Sequence, residues 1–128
     1  MRIDHWLGLL VKLDGASRRR IEVFELRLRI ELATIEAYHR VCQPENPLLY
    51  INNVTGRLSM VIALVPPENV PEAVGLVRLV RHVYGRASDI LHGRSSMVDA
   101  PAVIIDEWRS IVERLETLAG VRTAEDSN

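Results

Sequence analysis

Cysteine is nearly absent: Cys42 stands alone in 128 residues, which excludes an intramolecular disulfide and fits a reducing compartment. It closes an apolar helical pattern and reads as a small packed residue. No group of cysteines and histidines has the spacing of a zinc site. Long hydrophobic runs are missing as well. The longest, Met60 to Val65, falls far short of the roughly 18 residues that a membrane-spanning helix needs. Near the start, Asp4 and His5 precede an apolar run of only Trp6 to Val11, which does not fit a secretory leader. These absences predict a cytoplasmic protein without a membrane partner. No Gly-rich phosphate loop follows a strand pattern, and no nucleophile stands beside a base in sequence. Repeats and low-complexity tracts are lacking. An excess of one charge is lacking too: the net charge of −1 gives no global attraction to nucleic acid.

What is present is an ordinary globular composition, 48% hydrophobic and 26% charged, in a chain of single-domain length. A domain of this size removes roughly two-thirds of its unfolded surface from water. Apolar residues recur at helical spacing throughout. Ile3 to Leu13 is a short amphipathic segment with Trp6, Leu9, Leu10 and Leu13 on one side, closed by Gly15. Ser17 then caps the longest helix, over Arg18 to Cys42, with Ile21, Phe24, Leu28, Leu32, Ile35, Tyr38 and Cys42 as its apolar stripe. Asn46 and Pro47 open a helix to about Val65, with Leu48, Ile51, Thr55, Leu58, Ile62 and Val65 in register. Asn52, Asn53 and Gly56 weaken that pattern, and Pro66 and Pro67 end it. A fourth helical pattern starts near Pro71. Asp99 caps the last helix, which has Pro101 in its first turn and Val103 or Ile104, Trp108, Ile111, Leu115 and Leu118 as its inner face. Gly120 stops it, and Val121 to Asn128 reads as a flexible tail. The fold class is all-α: an antiparallel up-and-down bundle of four long helices plus a short N-terminal helix within residues 1–16.

The chain is organised around Tyr84 to Ser95, YGRASDILHGRS. Ala73, Val77, Val80, Tyr84, Ala87 and Leu91 form one stripe, and Arg78, Arg81, Gly85, Ser88, Asp89 and His92 the opposite face. Gly93 suits the left-handed turn just past a helix end, and an imidazole in the last turn sits where the helix dipole favours its protonated form. Between Ala73 and Val98 the charged residues are Arg78, Arg81, Arg86, Asp89 and Arg94, a net +3 before any histidine is counted. An anionic ligand would feel that segment more than the average field. A solvated helix face explains the same arginines equally well. In the first long helix, Glu36 lies beside the apolar stripe, either reaching a cation on a neighbouring helix or leaning out to water.

This segment, ending a long helix and followed by a final amphipathic one, resembles the signature of the HEPN superfamily. It is most similar to the phage-defence and toxin–antitoxin branch, with its Tyr-x-x-Arg-Ser-x-x-x-His-Gly pattern. Upstream, LRIELATIEAYH resembles the first core helix of that branch, with Glu36-Ala37 as its Glu-Ala step, and YINNVTGRLSMVIALV resembles the second. The resemblance covers about Arg18 to Ala119. It implies an all-α bundle that dimerises, with two Arg/His pairs meeting across the dimer interface. The activity implied is metal-independent RNA cleavage without a cofactor, by attack of the ribose 2′-hydroxyl on the adjacent phosphate. Histidine would act as general base or acid and arginine on the growing phosphate charge. His92 matches the family histidine, Gly93 the following glycine and Tyr84 the tyrosine. The arginine slot falls on Ala87, with Ser88 as the polar residue after it; Arg86 offers the alternative Arg-x5-His spacing. On an ideal helix Arg86 lies about 120° from His92 and position 87 about 140° away, so neither shares its face. Alanine at the slot implies an inactive member of the lineage, whether natural or introduced. Arg78, Arg81, Ser88, Asp89, Arg94 and Glu36 are the candidates to bind RNA. Two readings therefore stand: an RNA-cleaving toxin or defence domain, or a catalytically silent module that dimerises and binds RNA or a protein partner such as an antitoxin.

Overall fold

Helix formers dominate the first long segment, and the structure, a computed structural model, turns it into helix α1, Gly15–Cys42. The residues described are 15–42, 53–93 and 100–121. The expected N-terminal segment, the Asn46–Pro47 start, the Asp99 cap, Arg94 and the tail beyond Val121 lie outside them. Three further helices follow: α2 (Val54–Ile62), α3 (Val70–Leu91) and α4 (Ala102–Ala119), with one 3-10 turn at Pro67–Asn69 between α2 and α3. The described residues are thus an all-helical bundle without strands, and none of their helices is long and apolar enough to cross a membrane.

α1 is the hub, packing against all three other helices. Its start precedes the expected cap, so Ser17 falls inside the first turn. Pairs four residues apart, Arg27 with Glu31, Glu25 with Arg29 and Glu36 with Arg40, line its surface. Each exposed pair of this kind adds only about 0.3–0.5 kcal/mol. Its buried side corrects the expected stripe. Val23, Leu26, Ile30, Ala33, Ala37 and Tyr38 enter the core, whereas Phe24, Leu28 and Leu32 are largely exposed. The helix carries apolar residues on two opposite sides, and periodicity alone cannot choose between them. Ala33 and Ala37 decide it, because small side chains let three helices approach one side closely. Cys42 belongs to the outer side and is exposed, not packed.

α2 is shorter than its pattern suggests. Asn53, one of the residues that weaken the pattern, is its N-cap: the Asn53 side chain accepts a 2.6 Å hydrogen bond from the Gly56 amide. Val54, Arg57, Leu58 and Val61 face inward, leaving Thr55 exposed and Ile62 and Val65 half-buried. Buried Arg57 is tied to α1 by its Nε donating to Thr34 Oγ1 at 3.1 Å. α3 starts one residue before Pro71 and buries Ala73, Leu76, Val77, Val80, Val83, Ala87 and Ile90, close to the expected stripe. α4 starts after Pro101, whose carbonyl accepts from the Ile104 and Ile105 amides. Its inner face is Ile105, Trp108, Ile111, Val112, Leu115 and Ala119, so Val103, at 72% exposed, points away and Leu118 is half-buried. Gly120 ends it with φ of 75°. Arg40 lies across that turn and donates to the Gly120 carbonyl at 3.2 Å.

Two polar ties fix how the helices lie. Arg29 grips Glu116 of α4 with two guanidinium nitrogens, and Glu116 is itself buried. Arg29 is held above the usual arginine range, first by that hydrogen bond. On the other edge of α1, Arg27 meets Ser88 and Glu31 meets Tyr84. These pairs run in opposite senses, so α1 and α3 are antiparallel, whereas first and third helices of a simple up-and-down bundle would be parallel.

Candidate functional site

The outer face of α3 is built by its own period. With most of the apolar residues committed to the core and Leu79 left out of it, Arg78, Arg81, His82, Gly85 and His92 are exposed, and Ser88 and Asp89 are half-buried. From Ala73 to Gly93 the only acid is Asp89. Among the described residues Arg78 and Arg81 form no ion pair, so the face carries two unneutralised guanidinium groups. It ends at His92, the C-cap, whose amide donates to the Ser88 carbonyl at 2.9 Å. Gly93 follows with φ of 65°, the left-handed conformation that glycine adopts without a Cβ penalty. The helix end that presents the imidazole is therefore locally well defined.

The other candidates do not converge on His92. Ala87 is fully buried within the hydrophobic core. Arg86 is half-buried and lines an open cleft of about 320 Å³ between α3 and α4, with His82, Glu107 and Trp108. Glu36 pairs at 3.0 Å with Arg40 of its own helix, so it reaches no cation on a neighbour. It also lies on the edge of α1 away from the one that meets α3. Among the described residues α3 itself has no arginine in its last turn, and the guanidinium that reaches that turn is Arg27 of α1, which is engaged with Ser88. A row of cations with a terminal imidazole can bind an anionic chain. Acid–base cleavage would further need a cation on the reacting phosphate within reach of His92.

A polar cluster that helical periodicity does not reveal anchors this end of α3. Arg27 Nε donates to Ser88 Oγ at 3.0 Å, and its guanidinium lies 5.0 Å from the centroid of the Tyr84 ring. The Tyr84 hydroxyl donates to Glu31 Oε1 at 2.9 Å. Burial and that acceptor push the Tyr84 phenol above its ordinary value. Ser88 is thus engaged by α1. The one signal in the sequence is the Arg27-x3-Glu31 spacing in the first helix, which puts both on one edge. Among the described residues no group of three His, Cys, Asp or Glu side chains could hold a metal. No protein-family model, curated protein or solved structure matches the chain.

Proposed function

We propose that this chain is a HEPN-type helical module that binds RNA along the outer face of α3 and does not cleave it. The observation that carries the reading is the unpaired row Arg78, Arg81 and His92 at the surface of one rigid helix. Phosphates spaced along a single strand can meet such a row in succession, releasing counterions as they do. The resemblance of YGRASDILHGRS to the HEPN signature supports RNA as the polyanion and an endoribonuclease lineage. The burial of Ala87 supports silence in this chain, since its slot supplies no charge to a reacting phosphate. In this reading the module is a cytoplasmic homodimer whose two His92 regions lie together, an isologous arrangement. A cognate antitoxin or other defence protein would complete the system.

The test is RNA binding and cleavage by the full chain in EDTA. Binding that is lost in Arg78→Glu with Arg81→Glu, without strand scission, is the expected result. Metal-independent scission abolished by His92→Ala would instead establish the active-nuclease reading. Binding indifferent to the two arginines would favour a protein partner for this face.

A further inference from the structure

α1 has a second apolar surface, turned away from α2, α3 and α4. Phe24, Leu28 and Leu32 are 53%, 41% and 56% exposed, and half-buried Ile21 and Ile35 extend the row at either end. Among the described residues no element covers it. Charged residues line both edges: Arg18, Glu22, Glu25, Arg29, Glu36 and Arg40 nearer α4, three of each sign, and Arg20, Arg27 and Glu31 on the other, a net +1. A membrane-surface helix draws its attraction from a cationic border, and a polyanion needs one too. Taken together the two edges hold five cations and four anions, too balanced to favour an anionic surface or to repel a second copy.

The spacing of the row points to that copy. From Ile21 the steps are three, four, four and three residues, symmetric about Leu28. We propose that two copies of this chain pack their α1 helices antiparallel through this row, about a two-fold axis at Leu28. Leu28 then meets Leu28 of the second copy, Phe24 meets Leu32, and Ile21 meets Ile35. All five layers are apolar on both sides, with each pair level along the axis. The row is about 21 Å long at 1.5 Å per residue. A single helix face of that length offers less than the roughly 800 Å² per partner of a standard interface, so the dimer is a weak one that depends on concentration.

This contact extends the dimer of the proposed function and gives it a geometry. A two-fold axis perpendicular to paired helices returns each edge of α1 to the same side. The edge bearing Arg27 and Glu31 holds α3 through Ser88 and Tyr84, so both α3 helices lie on one side of the dimer. Ser88 is level with Arg27, next to the axis, and the two His92 ends follow one turn further out.

Sedimentation of the full chain and disulfide trapping in a Cys42→Ser background test the proposal. We expect a concentration-dependent dimer that Leu28→Glu converts to monomer with its melting temperature held within a few degrees. Leu28→Cys should cross-link to itself. Phe24→Cys and Leu32→Cys should cross-link when mixed and not alone, since two Phe24 positions lie about 12 Å apart along the axis. A monomer throughout would overturn the proposal, as when residues 1–14 of the same chain occupy the row. So would a dimer unaffected by Leu28→Glu, a Phe24–Phe24 cross-link, or a monomer that binds lipid vesicles through Leu28. Arg78→Glu with Arg81→Glu should leave the dimer intact, so failure of RNA binding and failure of this contact are read separately.

Discussion

Replacing Ala87 with arginine separates two accounts of the same position. The alanine has no exposed surface and sits in a core with Val83 and Ile90 as neighbours on α3. An arginine there adds a long side chain to a filled site, which costs about 1–3 kcal/mol by overpacking alone. Its guanidinium must either desolvate, at several kcal/mol after relaxation, or push past half-buried Tyr84 or Leu91 to water. A total near 4 kcal/mol follows, against the 5–15 kcal/mol that holds a typical domain together. At this chain length that lowers the melting temperature by on the order of 12–16 °C. Ala87→Leu isolates the packing part and should lose only about 1–3 kcal/mol. Circular dichroism during urea and thermal unfolding reads the stability, and RNA incubated in EDTA reads the chemistry. The expected arginine variant is destabilised and inactive. A variant that melts near the parent and releases 2′,3′-cyclic phosphate ends would refute the reasoning, showing that position 87 faces a reacting phosphate.

Arg29→Ala should cost about 2–3 kcal/mol in urea unfolding, because it leaves the Glu116 carboxylate buried without its partner, and Arg29→Met with Glu116→Leu should cost less than Arg29→Ala; strictly additive losses would contradict a coupled pair. Tyr84 should ionise above the ordinary tyrosine value of 10.0, resolved as the difference in absorbance at 295 nm between the parent and Tyr84→Phe. Its folded pKa is raised, so its contribution to stability is complete below pH 10.0 and is lost as pH climbs through the folded value. Ionisation at or below 10.0 would mean that Glu31 does not accept from the phenol. Gly120→Ala should lose more than about 1 kcal/mol, since alanine disfavours a positive φ and its Cβ would meet Arg40 Cζ at 2.6 Å. An unchanged melting temperature would show that α4 ends without that turn.

Much of α3 is legible in its residue pattern. A single apolar stripe, a cationic opposite face and a glycine after the final histidine leave one orientation, and the helix adopts it. α1 is harder, since its two apolar sides satisfy the same period. Only the small residues Ala33 and Ala37 distinguish the side that packs, and bulk hydrophobicity favours the other. Asn53 shows the same ambiguity in small: a residue poor inside a helix is good at its start. Tertiary partners are the least legible. Glu36 looks placed to cross helices and stays with Arg40, while Glu31 and Glu116 make the crossings. Which carboxylate meets which cation depends on helix positions that spacing within one helix does not specify.

The central claim is that the outer face of α3 is an RNA-binding surface. Its most direct test is the affinity of the full chain for a fluorescent single-stranded RNA, measured by anisotropy at several salt concentrations in EDTA. Two arginine–phosphate contacts predict a slope of about −1.4 in log affinity against log salt, or roughly a sevenfold loss between 50 and 200 mM. Arg78→Glu with Arg81→Glu should flatten that slope and remove measurable binding at the higher salt. An affinity that ignores salt, or that survives both substitutions with its slope intact, would contradict the account.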